Sequence, residues 1–332
     1  MIIKRAVLHI LDFNSGMIVF SQNELDCTDD TVSTFLQKHI EKLHKDSARK
    51  SGNFNEESGF AAALTEYRNG ALEFIDFTTQ IANVLYENIS ISDKLEPIDL
   101  VAVDYINDES DYFALLLITN KSAYTHQVIT DESGIHNEIM KHYAILPTPS
   151  QKIDAYAIIN MQSGEIYFAD KKRQIDGNSV FVLPQILLEC SSGASTKEVV
   201  KIVRETANEV AEEYGVNTAV AVSKAKSYIV ENCEESDTIS TEELAENIFS
   251  ESPIMREAFE KKIEEKEIPK DIKIEKASAV RASKSQKIKT DTGIEITVPV
   301  EYFEDDRYIE FINNNDGTIS IALKNIGKLT NR

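Results

Sequence analysis

The chain has 332 residues, a formal net charge of −21, 42% hydrophobic and 27% charged residues. This composition describes a folded globular protein rather than a disordered one, and the length calls for about two domains. Its best apolar run, 112–119, is of strand length, far short of the roughly 20 residues that a membrane-spanning helix needs, and Lys4-Arg5 is followed by too few apolar residues for a secretory signal.

Residues 2–13 and 17–21 flank the turn signal Asn14-Ser15-Gly16, so the chain is expected to open with a β-hairpin. Cap candidates at 26–30 precede Val32, Phe35, Leu36, Ile40 and Leu43 at helical spacing. The polar stretch 52–59 reads as a loop. Leu64, Leu72, Phe74, Ile75, Ile81 and Leu85 then follow a helical period that Gly70 bends or divides. β-type runs at 98–106 and 112–121 meet in a polar turn, and 153–160 and 165–169 form another hairpin around Gln162-Ser163-Gly164. Strands arriving as adjacent hairpins imply an α+β domain with an antiparallel or mixed sheet and helices.

Near Pro184 the character changes. Ser195 and Glu198 form a capping box before Val199, Val203 and Val210, and Gly215 closes that helix. Further helices are expected at 219–232, at 241–249 behind a Ser240/Glu243 box, and at 254–267 before Pro269. With no strands read among them, the expected division is an α+β domain over 1–183 and a mainly helical domain over 184–332. A C-terminal β-hairpin closes the latter, with Asn315-Asp316-Gly317 as its turn.

The three cysteines, Cys27, Cys190 and Cys233, are scattered and odd in number, which suits a reducing compartment and buried structural roles. Residues 1–150 carry 11 lysines and arginines against 23 acids, a surface that repels phosphate. The exception is 270–289, where Lys270, Lys273, Lys276, Arg281, Lys284, Lys287 and Lys289 face only Asp271 and Glu275. Such a segment can hold a polyanion locally; a solvated linker face is the alternative reading.

Motif chemistry is sparse. There is no GxGxxG, no GxxxxGK[ST], no GxSxG and no HExxH. His9, His39, His44, His126, His136 and His142 lack metal-ligand spacing and read as structural or surface residues. The acidic turn Asp108-Glu109-Asp111 misses the EF-hand pattern. One constellation allows a catalytic reading. A hairpin could bring Asp154 beside Asp170-Lys171-Lys172, the Asp…Asp-x-Lys arrangement in which two carboxylates hold Mg²⁺ and a lysine assists a nuclease.

The run 287–296 (KIKTDTGIEI), then 298–303 (VPVEYF), 308–313 (YIEFIN) and 316–321 (DGTISI), together with the opening 2–12 and the 54–60 loop, resembles the bacterial nucleoid-associated protein family also called NdpA or YejK-like. The resemblance implies a non-enzymatic protein of the nucleoid, cytoplasmic, with no cofactor. Its implied partners are double-stranded DNA, nucleoid proteins or both. Three readings follow: DNA contact through the basic segment, a protein-interaction adaptor without direct DNA contact, and an Mg-dependent nuclease using Asp154, Asp170 and Lys172.

Overall fold

Residues 113–118 hold no polar side chain, and a strand of that composition must be covered on both faces. The computed structural model shows how. It describes residues 1–13, 15–119, 121–132, 134–266, 268–303, 305, 307–314 and 318–328. The chain divides into two compact units, Met1–Gly193 and Ala194–Arg332.

Unit 1 contains β1 (Ile2–Asp12), β2 (Met17–Val19), α1 (Asp30–His44), β3 (Lys50–Asn53), α2 (Gly59–Arg68), α3 (Phe74–Ile89), β4 (Ile98–Asn107), β5 (Ser110–Thr119), β6 (Lys121–Asp131), β7 (Gly134–Ile145), β8 (Ala155–Asn160), β9 (Glu165–Ala169), β10 (Lys172–Ile175), β11 (Asn178–Phe181) and a π-helical turn, Val182–Leu187. Seven strands form one antiparallel sheet in the order β2-β1-β4-β5-β8-β9-β3. Alternate residues of β5 enter different cores. Phe113, Leu115 and Leu117 pack with α2, α3 and the π-helical turn, whereas Ala114, Leu116 and Ile118 pack with Leu36, Ile40 and Leu43 of α1. The pleat sends neighbouring side chains to opposite faces, so a two-sided cover needs apolar residues at every position.

Local signals set the helices. Asp29 caps α1 by accepting from Thr31 N and Val32 N, and Gly70, at φ +72°, separates α2 from α3. The expected loop at 52–59 is partly strand, because β3 pairs with β9 at the sheet edge. Gly52 is required there: a Cβ would lie 2.1 Å from the Ser191 carbonyl oxygen. The sequence reading placed no element over 122–152, yet β6 and β7 form a long hairpin of their own, hydrogen-bonded among the described residues to no other strand.

Unit 2 contains α4 (Thr196–Glu213), α5 (Thr218–Glu235), β12 (Thr238–Ser240), α6 (Thr241–Ile248), α7 (Pro253–Glu265), β13 (Asp271–Lys273), α8 (Lys276–Ser283), β14 (Ser285–Lys289), β15 (Glu295–Pro299), a 3₁₀ turn (Val300–Tyr302), β16 (Ile309–Asn313) and β17 (Ile319–Leu323). The Ser195/Glu198 capping box is formed in full. Val203, Ala207 and Val210 of α4, Ala225 and Ile229 of α5, Phe259 of α7 and Ala279 of α8 make its core. Two details differ from expectation. Strands β12 and β13 pair among the helices, and the basic segment is not a linker but β13, α8 and β14. The hairpins β14–β15 and β16–β17 close the unit over a small core of Val298, Phe303 and Ile309. The expected turn residues Asn315, Asp316 and Gly317, and Asn14 of the first turn, lie outside the described residues. The fold is α+β, as the periodicities indicate.

Candidate nucleic-acid interface

The basic segment is anchored at both ends of α8. Glu275 caps the helix, accepting from Ala277 N at 3.1 Å and Ser278 N at 2.8 Å, while its own N–H donates to Thr196 Oγ1 of α4. After the helix, the buried Lys226 of α5 donates through Nζ to the Ser285 carbonyl at 2.7 Å, fixing the start of β14. Burial, with a smaller contribution from Arg204, lowers the Lys226 pKa to about 8. A lysine spent this way is structural.

The seven cations differ in what surrounds them. Lys270 is held by Glu242 of α6 at 3.1 Å, which raises its pKa. Lys273 is exposed at the end of β13, opposite Thr238. Lys276 is half-buried at the first turn of α8. Arg281 in the last turn of α8 and Lys284 at its C-cap are exposed and, among the described residues, form no ion pair. Their spacing of three residues puts them one turn apart on neighbouring faces. Lys287 and Lys289 stand on the solvent face of β14 while Gln286 and Ile288 turn inward, and both lysines reach Glu295 of β15, at 2.6 and 3.9 Å. Arg281, Lys284, Lys287 and Lys289 thus follow one another, all exposed, from the last turn of α8 along β14, while Lys270 and Lys273 lie beside and in β13.

Sequence reasoning missed a second row of cations. Lys197, Lys201 and Arg204 of α4 are all exposed, and their i, i+4, i+7 spacing puts them on one helix face. Lys201 pairs with Glu205 at 3.8 Å. The spacing was legible, but the three cations are diluted by Glu198, Glu205 and Glu209 in the same helix.

The nuclease constellation is only half assembled. The register Tyr156↔Ala169 does put Asp154 and Asp170 at the same end of the β8–β9 ladder. Both Asp170 oxygens, however, accept backbone N–H groups, from Lys171 at 2.8 Å and Leu183 at 2.7 Å. Burial raises its pKa despite those bonds. Lys172 lies over the Phe181 ring, and Lys171 pairs with Glu96, whose pKa falls to about 2. Asp170 here ties the π-helical turn to the sheet. Among the described residues, no three His, Cys, Asp or Glu side chains gather as a metal site.

The remaining candidates are structural. His9 is fully buried, its Nδ1 accepting from Ser21 N, and desolvation lowers its pKa to about 4. His39 meets the Pro147 carbonyl and His44 the Tyr105 hydroxyl. His126, His136 and His142 lie on β6–β7. Asp111 of the acidic turn forms an ion pair with Lys4 and accepts from Gln162. The three cysteines are free thiols, and burial raises the pKa of each.

No helix among the described residues is long and apolar enough to cross a bilayer. The family described as nucleoid-associated protein YejK matches residues 7–330, and the chain belongs to that family. It is also 33% identical over 101 residues to a nucleoid-associated protein of Shewanella oneidensis, a match spanning 27% of this chain and 30% of that protein.

Proposed function

We propose that this bacterial protein serves the nucleoid without chemistry of its own, holding duplex DNA by its phosphates through Arg281, Lys284, Lys287 and Lys289. The observation that carries this reading is the exposed pair Arg281 and Lys284, cations without an ion-pair partner among the described residues of a chain whose net charge is −21. Each such cation displaces condensed counterions when it meets a phosphate, and binding of this kind positions a protein on DNA without reading bases. The acidity of the rest confines contact to exposed cations of this kind, since charges beyond about 8–10 Å are screened at physiological salt. A cytoplasmic location follows from that partner.

One observation favours an adaptor reading: Glu242 and Glu295 already engage Lys270, Lys287 and Lys289. Fluorescence anisotropy on duplexes of unrelated sequence, across a salt series with and without Mg²⁺, separates the readings. Contact through these cations gives salt-sensitive, sequence-tolerant binding that Arg281→Glu with Lys284→Glu weakens on every duplex alike. A wild-type protein that ignores DNA at low salt yet joins the nucleoid in cells would be an adaptor. Mg²⁺-dependent cleavage, lost in Asp170→Asn, would restore the nuclease reading.

A further inference from the structure

Two helices of unit 2 carry cations side by side. Thr196, the first residue of α4, accepts at Oγ1 from the backbone N–H of Glu275, the N-cap of α8, at 3.0 Å, so the two helices start together. They are together again about two turns on. There Lys226 of α5 donates to the Ser285 carbonyl just past α8, and the Arg204 charge of α4 acts on the same ammonium. At 1.5 Å per residue, Thr196 to Arg204 and Glu275 to Lys284 each span about 12–14 Å, so α4 and α8 run in the same direction over that length. Their inner faces share one core, with Val199 and Val203 of α4 and Ala279 of α8.

The exposed Lys197, Lys201 and Arg204 share one face of α4. Lys197 and Arg204 form no ion pair among the described residues, and Lys201 has Glu205 at 3.8 Å, an exposed pairing of small worth. The other acids beside the row are engaged: Glu198 closes the capping box with Ser195, and Glu209 holds Lys266 at 3.0 Å. Burial and Arg204 both lower the Lys226 pKa, and no carboxylate among the described residues acts against them. The place where the helices meet again thus gathers Arg204, Lys226 and Lys284 in a chain of −21, an arrangement that attracts anions.

We propose that Lys197, Lys201 and Arg204 are a second phosphate-contacting row, so that α4 takes one strand of a duplex while Arg281 and Lys284 take the other. This rests on the DNA reading above and adds to it a grip on both strands. Packed helices lie about 8–10 Å apart, between the roughly 6 Å width of the minor groove and 12 Å of the major, a difference that long cationic side chains cover. Lys197 to Arg204 rises about 10 Å, or about three phosphate steps of 3.4 Å along one strand.

Fluorescence anisotropy of the full chain against salt, on a labelled duplex and on one of its separated strands, tests this. Lys197→Gln with Arg204→Gln removes two contacts and should make the duplex salt slope shallower by about 1.8, with affinity at about 0.1 M salt lower by about fivefold or more. A single strand does not need both rows, and its affinity should stay within about twofold. Lys197→Arg with Arg204→Lys keeps both charges and should restore the duplex slope. Lys38→Gln with Lys42→Gln removes the same charge from the exposed side of α1 and should leave duplex binding within about twofold. Far-ultraviolet circular dichroism checks that α4 is intact. If the α4 variant binds the duplex as wild type does while Arg281→Glu with Lys284→Glu weakens it, the second row is overturned and the DNA reading stands. An equal loss on duplex and single strand, an equal loss in the α1 variant, or no rescue by the charge-keeping variant overturns it too. A wild type that ignores both nucleic acids overturns the DNA reading and this row with it.

Discussion

Glu295 is the residue on which the DNA reading can be tested most sharply. Its carboxylate lies 2.6 Å from Lys287 Nζ and 3.9 Å from Lys289 Nζ, competing with any phosphate for both. All three side chains are largely exposed, so the pairing contributes no more than about 1 kcal/mol. Removing it in Glu295→Gln should therefore tighten DNA binding about fivefold if the wild-type lysines already reach phosphate at the expense of the ion pair. If the carboxylate instead withholds both lysines, only Arg281 and Lys284 of the α8–β14 cations contact phosphate in the wild type. The salt slope from those cations would then be about −1.8 and would steepen to about −3.6 in the variant, while the gain in affinity stays within about fivefold, the ceiling that an ion pair of about 1 kcal/mol sets. Anisotropy against log salt reads both quantities at once. Glu310→Gln, which unpairs Lys324 at 2.6 Å on β16–β17, is the control for simple loss of a negative charge. Equal affinity and slope in Glu295→Gln and wild type, or an equal gain in Glu310→Gln, would refute the assignment of β14 as a phosphate-contacting strand.

Other expectations follow from packing and titration. Gly52→Ala drives a methyl group against the Ser191 carbonyl oxygen and should cost about 1–3 kcal/mol, read as a fall of several degrees in the melting temperature of unit 1. Ser195→Ala removes the acceptor of the α4 capping box and should cost about 1 kcal/mol in denaturant unfolding of unit 2; an unchanged midpoint would show the cap to be redundant. Both His9 and His44 have folded pKa values lowered to about 4, so the unfolded chain takes up protons first as the pH drops. Stability from these groups is complete above about pH 6.5 and is lost progressively towards pH 4, by up to about 3 kcal/mol for the fully buried His9. Thermal melts between pH 7 and 4.5 should show that decline, and His9→Gln should flatten it.

What the sequence determined by itself was local. The Ser195/Glu198 box, the Gly70 break and the helical spacing of Leu36, Ile40 and Leu43 each act within a few residues, and each appears where it was read. The apolar run of β5 likewise reads as a strand, and the two cores on its faces are what the structure adds. The terminal motifs carried the family resemblance across almost the whole chain. Tertiary structure decided what depends on distant partners. Gly52 and Asn53 open the polar stretch 52–59 that reads as a loop, yet they belong to a strand, because β9 and the 191–193 segment lie alongside them. The ribbon β6–β7 is not legible in the sequence because its few apolar residues keep no clean period of two, with Ala123 beside Tyr124 and Val128 beside Ile129, and only its register gathers Tyr124, Val128, Ile135 and Ile139 on one side. In the basic segment the sequence shows seven cations of equal standing. The fold ranks them, since Glu242 and Glu295 come from elements that only chain folding brings to Lys270, Lys287 and Lys289, leaving Arg281 and Lys284 to solvent. Charge is a property of residues, but whether it is available to a ligand depends on which opposite charge the fold has placed within about 4 Å.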